Sequence, residues 1–457
     1  MSKTNSEKKI YLEEYLQDAA RKFIDRETAG GVLLIICMVI ALVLANSPLS
    51  ESYHHFWEIQ VSLQIDRYKF SEPLHFLVND GLMVIFFFVV GLEIKREFYA
   101  GYLSDFKKAT LPMFAALGGM VVPAGIYIIF NAGTENSNGW GVPIATDIAF
   151  SLGIISLLGK RIPLSVKVFL TALAIVDDIG AVMVIAIFYS TDISWLYIGI
   201  CGGIVLLSFA LNKLKVNNSY IFLVVGICLW LMFLQTGIHP TLTGVLLAFT
   251  IPIKPRMGDK DFEELSKGHL SQFNEVKHPE KSVVENKPQL KVIEGIRKIT
   301  KKFNPMAVRL ESRLEGLNSF FVMPVFALAN AGVTFGKGWS DVLFEPLGLG
   351  IFLGLAVGKA GGISLFSWLA LKTKISHMPD GGSFSGIIGI GFMAGIGFTM
   401  SLFISNLAFE NDVLSDAKIA VLVASFVAAI IGYIYLRLIY RNKPNEKSEG
   451  DSGNQRV

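Results

Sequence analysis

Charge is scarce in this chain. Of 457 residues, 17% are Asp, Glu, Lys or Arg and 52% are hydrophobic; a typical soluble domain is about 25% charged. That shortage excludes a disordered protein, a coiled coil and an ordinary soluble enzyme. Cysteine is scarcer still. Cys37, Cys201 and Cys228 all lie in apolar runs, and three such residues build neither a disulfide framework nor a zinc site. The net charge of +3 is too small to point to nucleic acid or to an acidic partner. No cleavable signal peptide is expected, because the stretch before the first apolar run mixes acids with bases. No cofactor motif is present.

Long apolar runs fill the space. A membrane-spanning helix needs about 20 apolar residues, and about twelve candidate spans follow one another near 30–47, 73–98, 107–130, 141–159, 164–189, 194–212, 219–236, 239–252, 317–334, 347–370, 384–407 and 417–439. The expected fold class is an all-α polytopic membrane protein. Its pieces are a cytoplasmic N-terminal segment (1–29) with a surface helix at 11–28, spans 1–8 (30–252), a cytoplasmic loop (253–316), spans 9–12 (317–440) and a disordered cytoplasmic tail (441–457). Trp57–Phe70 has strand-like residues around a polar turn, the pattern of a hairpin outside the membrane. The loop holds 14 basic and 10 acidic residues over 254–315 and no Gly-rich phosphate motif, so it reads as a partly helical linker.

Basic residues orient the chain. With the N-terminus inside, 36 of the 41 Lys and Arg fall in cytoplasmic segments. Only Arg67, Lys69, Lys337 and Lys418 fall outside, and Lys359 alone sits within a span. Positive loops stay cytoplasmic, so both termini are expected there.

Ionisable residues inside spans are costly and point to function. Asp177 and Asp178 interrupt the apolar run ALAIVDDIGAVMVIAIFY. Neighbours on a helix diverge by about 100°, so the two face different surroundings. Two ionised carboxylates here would repel each other without solvation; one must be protonated, paired or bound to a cation. Asp147 follows Gly141, Pro143 and Thr146 in GWGVPIATDIAFSLGI, where a broken backbone and a hydroxyl offer oxygens suited to a hard cation such as Na⁺. Lys359, among Gly358, Gly361 and Gly362, needs a carboxylate partner or a lowered pKa, and the aspartates are the available partners. The glycines let another helix approach closely. Asp80 and the group Glu93, Lys95, Arg96 and Glu97 mark the second span. His239, in GIHPTL, stands at the outer mouth of the eighth.

Thr146-Asp-Ile-Ala-Phe150 and Thr399-Met-Ser-Leu-Phe403 share the pattern T-x-x-x-F beside helix-weakening stretches. Spans 4 and 11 would then be interrupted equivalents within inverted repeats of spans 3–5 and 10–12, which locates a transport site at their crossing.

These residues carry a resemblance. NDGLMVIFFFVVGLEIKREF, PIATDIAFSLGI, ALAIVDDIGAV, GIHPTL, PVFALANAGV, VGKAGGI and GIGFTMSLFI, in order from about residue 79 to 404, resemble the NhaA-type sodium/proton antiporter family. The resemblance implies electrogenic, pH-regulated export of Na⁺ or Li⁺ against protons, by alternating access in a bacterial inner membrane, with no enzymatic activity. It implies that Asp177 and Asp178 bind the ion. Asp147 and Thr146 would lie at the helix crossing, and Lys359 would balance charge beside Asp177. Glu93, Arg96 and Glu97, with His239 and Glu311, would respond to pH. The hairpin at 57–70 would join a homodimer. Two features depart from the family: the connection at 254–315 is much longer than usual, and of the pH-response residues near the ninth span only Glu311 is matched. The competing class is a sodium-coupled solute symporter, which would need further polar groups to read its substrate.

Overall fold

A computed structural model of the chain describes residues 29–441 apart from 66–67, 191, 215, 277–284, 337 and 379–381. The expected surface helix at 11–28 and the tail beyond Arg441 lie outside these residues. The described residues are mostly helical. Six helices are long and apolar enough to cross a membrane: Leu74–Ala100, Phe106–Asn131, Leu164–Phe188, Trp195–Lys213, Pro346–Lys372 and Asn411–Ile439. Three bent pairs raise the number to nine: Ala29–Ala45 with Ser50–Glu58, Glu135–Ile144 with Ile148–Ser156, and Phe384–Ala394 with Phe398–Ala408. The other apolar stretches form shorter helices, Ser219–Phe233, Leu242–Thr250 and Met323–Asn330.

The helix surfaces are apolar outward as well as inward. In Trp195–Lys213 only 11% of the most apolar window is buried. Trp195, Phe106, Ile129 and Tyr220 each stand more than three-quarters exposed. Water does not tolerate so much contiguous apolar surface. A bilayer does, and helices satisfy their own backbone within it.

The chain forms two compact units. The first takes the described residues within Met1–Phe86, Glu97–Thr191 and Gly316–Val457. At its centre Phe106–Asn131 packs along Pro346–Lys372, and glycine sets the distance between them. A Cβ on Gly362 would stand 2.1 Å from the Gly118 carbonyl oxygen, and one on Gly118 would stand 2.2 Å from that of Gly362. Gly361 faces open space. Gly362→Val is therefore expected to lower the unfolding midpoint in detergent sharply, by a penalty at or above the ~1–3 kcal/mol of ordinary overpacking, while Gly361→Ala leaves it near the parent value. Equal midpoints for the two variants would contradict this account of the packing.

The same unit holds a two-stranded antiparallel ladder, Gln60–Ile65 with Tyr68–Pro73, running from Gln60↔Pro73 to Ile65↔Tyr68. It begins three residues later than the expected 57–70, because Trp57 and Glu58 finish the helix Ser50–Glu58.

The second unit spans Phe87–Arg96 and Asp192–Glu315. Its core joins Leu92, Phe222, Ala248, Ile251, Met306 and Ala307. The long loop supplies helices Asp259–Glu275 and Lys287–Phe303 and leads into Met306–Leu317. Phe262 and Phe303 stack with ring centroids 4.1 Å apart. Lys95 donates to the carbonyls of Ala248, Phe249 (2.6 Å) and Ile251. A cation there offsets the negative end of Leu242–Thr250 and satisfies carbonyls left open by the helix terminus.

Candidate functional site

Two helix breaks meet in the first unit. Gly141 and Pro143 belong to a 3₁₀ stretch, Glu135–Ile144, which ends in extended backbone before the helix Ile148–Ser156 starts at Asp147. Phe384–Ala394 stops at Gly395, and Phe398–Ala408 begins after Gly397. The pairs bend by 45° and 46°. Each break opens backbone groups, and the other break takes them up. Asp147 N–H donates to the Ile396 carbonyl at 2.7 Å. Ser151 Oγ donates to the Met393 carbonyl and Ser401 Oγ to the Val142 carbonyl, both at 2.8 Å. Ser425, from Asn411–Ile439, accepts the Phe398 N–H at 3.1 Å. Buried backbone must be paired, so these hydroxyls make two broken helices tolerable inside an apolar body.

Asp147 serves both helix starts. Its Oδ1 accepts Phe150 N–H at 2.9 Å, and its Oδ2 accepts the Thr399 N–H at 3.1 Å and the Thr399 hydroxyl. The residue is fully buried. A carboxylate facing two positive helix ends is well placed electrostatically, and both of its oxygens are occupied.

Asp177 and Asp178 sit mid-way along Leu164–Phe188, each 2% exposed. They differ in partners. Asp177 Oδ2 receives hydrogen bonds from Lys359 Nζ and from the Thr146 hydroxyl, the latter at 2.6 Å. Thr146 also lies 2.9 Å from the Ala394 carbonyl, and its single proton serves one acceptor at a time. Lys359 Nζ donates to the Thr146 oxygen too. Asp177 Oδ1 is buried with no hydrogen-bond partner among the described residues. No hydrogen bond among them reaches Asp178, which faces the charges of Asp177, Lys359 and Asp147. Lys359 is wholly buried and begins the helical stretch after a π-turn at Gly354–Gly358. Such turns recur at functional sites because they re-aim one side chain.

The arrangement thus has one ion pair, one saturated carboxylate and three open carboxylate oxygens. Asp178 and Asp177 Oδ1 are the oxygens that a proton or a small hard cation would complete. Among the described residues no group of three or more His, Cys, Asp and Glu forms a cage for a resident metal.

The remaining expected residues are placed separately. Glu93, Lys95 and Arg96 lie in the second unit, where Arg96 Nε pairs with Glu311 Oε1 at 2.6 Å. Glu93 is 9% exposed. His239 Nδ1 lies 2.8 Å from the Thr241 hydroxyl. Glu97, in the first unit, accepts the Tyr102 N–H at 2.7 Å and so ends its helix. Asp80 sits in the π-turn Leu77–Leu82. Thr399, Ser151, Ser401 and Ser425 are missing from the sequence reading's set of site residues. Only Thr399 had a signal, the shared T-x-x-x-F.

The sequence matches the Na⁺/H⁺ antiporter 1 family over residues 21–436. It is 47% identical to a Na(+)/H(+) antiporter NhaA of Christiangramia forsetii, over 93% of this chain and 95% of that protein. Its identity to a Na(+)/H(+) antiporter NhaA of Oleidesulfovibrio alaskensis is 46%, over 94% of this chain and 95% of that one. A Na(+)/H(+) antiporter NhaA of Helicobacter pylori is 42% identical, over 93% of this chain and 96% of its own length.

Proposed function

Because this chain belongs to the Na⁺/H⁺ antiporter 1 family, we propose that it exchanges Na⁺ or Li⁺ for protons across a bacterial inner membrane, at Asp177 and Asp178. It is a multi-pass membrane protein. The observation that supports the site is the adjacent buried pair, in which Asp178 and Asp177 Oδ1 lack partners while Lys359 and Thr146 hold Asp177 Oδ2.

The chemistry follows from that pair. A buried carboxylate without donors is stable only when protonated or cation-bound. Protons and Na⁺ therefore compete for the same oxygens. At alkaline internal pH the protons leave and a cation enters from the cytoplasm. The cation also competes with Lys359 for Asp177, so binding loosens that ion pair. The loaded site opens outward, protons displace the cation, and the protonated site returns. Exchange of more protons than cations makes the cycle electrogenic, and Lys359 either adds its proton to that exchange or only braces the site. Asp147 and Thr146 keep the broken helices in register around the ion and complete its polar surroundings.

The frame proposed for this cycle has twelve spans, with both termini cytoplasmic and inverted repeats in spans 3–5 and 10–12. Copies pair through the hairpin. Glu93, Arg96, Glu97, His239 and Glu311 form the pH response. In the Arg96–Glu311 pair the side chains are 33% and 12% accessible, and a glutamine at 311 keeps the shape and an oxygen that can accept from Arg96. Glu311→Gln is expected to move the unfolding midpoint little while shifting the pH of half-maximal exchange. An unchanged pH profile would remove Glu311 from the response.

The direct test uses inside-out vesicles from cells lacking other sodium antiporters. With an acid-inside gradient followed by a pH-sensitive dye, Na⁺ and Li⁺ should collapse the gradient and K⁺ should not. No collapse at any pH, with the protein inserted, would refute antiport. Sodium-dependent uptake of an organic solute would indicate symport.

A further inference from the structure

Within the second unit, the long loop and Asn217 line a cavity of about 610 Å³ that is open to solvent, bounded by Asn217, Arg256, Met257, Asp261, Glu264, Leu265 and Lys302. That volume suits a small metabolite. Its lining is split by charge. Arg256 and Lys302 supply cations, Asp261 and Glu264 supply anions, and Met257 and Leu265 add apolar surface. Yet no ion pair joins these four charges to one another among the described residues. Facing charges that do not neutralise each other leave both signs available to something between them.

The cationic side is held in place. Arg256 N–H donates to the Lys302 carbonyl at 3.2 Å, and its guanidinium donates to the Val216 carbonyl. Behind Asn217, Arg309 donates to the Asn217 Oδ1 at 2.9 Å. Arg309 Nε is buried without a partner, and burial together with the charges of Arg313 and Arg256 disfavours its cation. Arg256 and Lys302, the cations that line the cavity, have no carboxylate pair among the described residues, so both remain available to an anion. On the other side, Asp261 has an ordinary task in the first turn of Asp259–Glu275, but Glu264 lies beyond it.

We infer that this cavity binds a phosphate ester bearing neighbouring hydroxyl groups, of the size of a mononucleotide. The phosphate lies against Arg256 and Lys302, the hydroxyls donate to Asp261 and Glu264, and the apolar part covers Met257 and Leu265. Carboxylates hold sugar hydroxyls in this way at nucleotide sites, and guanidinium forks suit phosphate oxygens. A soluble nucleotide and a glycerol phospholipid headgroup share the chemistry. The site belongs to the second unit and the aspartates to the first, and its test needs no ion transport.

The experiment titrates purified full-length protein in detergent with adenosine monophosphate, glycerophosphoglycerol, adenosine and inorganic phosphate. Saturable binding of the two esters, each displacing the other, is the expected result. The tighter of the two names the source, nucleotide or lipid headgroup. Lys302→Gln should weaken both by about tenfold or more, the scale of a lost hydrogen bond to a charged group. Glu264→Gln should weaken the esters and leave inorganic phosphate unchanged. Both positions are exposed, so the folded protein tolerates these changes. Absence of saturable ester binding would overturn the inference. So would ester binding that ignores both substitutions, or inorganic phosphate binding as tightly as the esters.

Discussion

Asp178→Asn is expected to reduce sodium-driven proton movement in inside-out vesicles to background. The loss is at least about a hundredfold, or ~2.7 kcal/mol, with the protein still in the membrane. The reason lies in what Asp178 lacks. It is 2% exposed, and no hydrogen bond among the described residues reaches it. It therefore contributes nothing to the fold that asparagine cannot replace in shape. Asparagine removes only the charge that, in the proposed cycle, takes up a proton or a cation. Removing a buried, unpartnered carboxylate should leave thermal stability unchanged or raised. The two readouts together make the test sharp. A variant that unfolds would mean that Asp178 is structural. A stable variant with coupled exchange near the parent rate would place the ion site elsewhere.

Lys359→Met has a large effect of the opposite kind. Lys359 is wholly buried and donates to Asp177 Oδ2 and Thr146 Oγ1. Its loss leaves Asp177 with one hydroxyl donor for two buried oxygens. Breaking a buried pair by removing one partner costs about 3–5 kcal/mol, because the surviving charge is uncompensated. The unfolding midpoint in detergent should fall accordingly. Adding Asp177→Asn to Lys359→Met should recover most of that loss, since no charge is then stranded. The double-mutant cycle measures the coupling directly. If the two substitutions simply add, Lys359 and Asp177 are not an energetic pair.

Neither experiment alone separates bracing from proton transfer by Lys359. Together they do. Lys359→Met combined with Asp177→Asn restores the fold but not the charge, so transport in that variant reads the lysine's part in the cycle. Residual antiport with fewer protons per cation than in Asp177→Asn alone would assign Lys359 a carried proton; the same proton-to-cation coupling in both variants would assign it a brace.

Much of this was legible in the residues. A chain with 17% charge has to place every intramembrane charge for a reason, so Asp147, Asp177, Asp178 and Lys359 stood out before any fold was known. Gly141, Pro143, Gly395 and Gly397 marked the two weak points in the helices. What escaped notice was mostly serine and threonine. Ser151, Ser401 and Ser425 look ordinary in apolar runs, because a hydroxyl acquires a role only when an unpaired backbone group from another helix comes within 3 Å. Lys95 read as a member of a charged cluster, whereas it caps Leu242–Thr250, some 150 residues away in the chain.

The sequence by itself determined the solvent of this protein, the places where its helices break and the few charges they enclose, because hydropathy and backbone propensity are local properties. The residues alone left open which of two neighbouring aspartates takes the lysine; the family resemblance implied Asp177, and the tertiary structure pairs Asp177 with Lys359 and leaves Asp178 open. Asp177 and Asp178 are chemically identical, and the 100° between them on one helix has no meaning until other helices surround it. Packing turned Asp177 Oδ2 toward Lys359 and Thr146 and left Asp178 without a donor. The difference between two identical carboxylates is a property of their neighbours, and those neighbours come from residues 146 and 359.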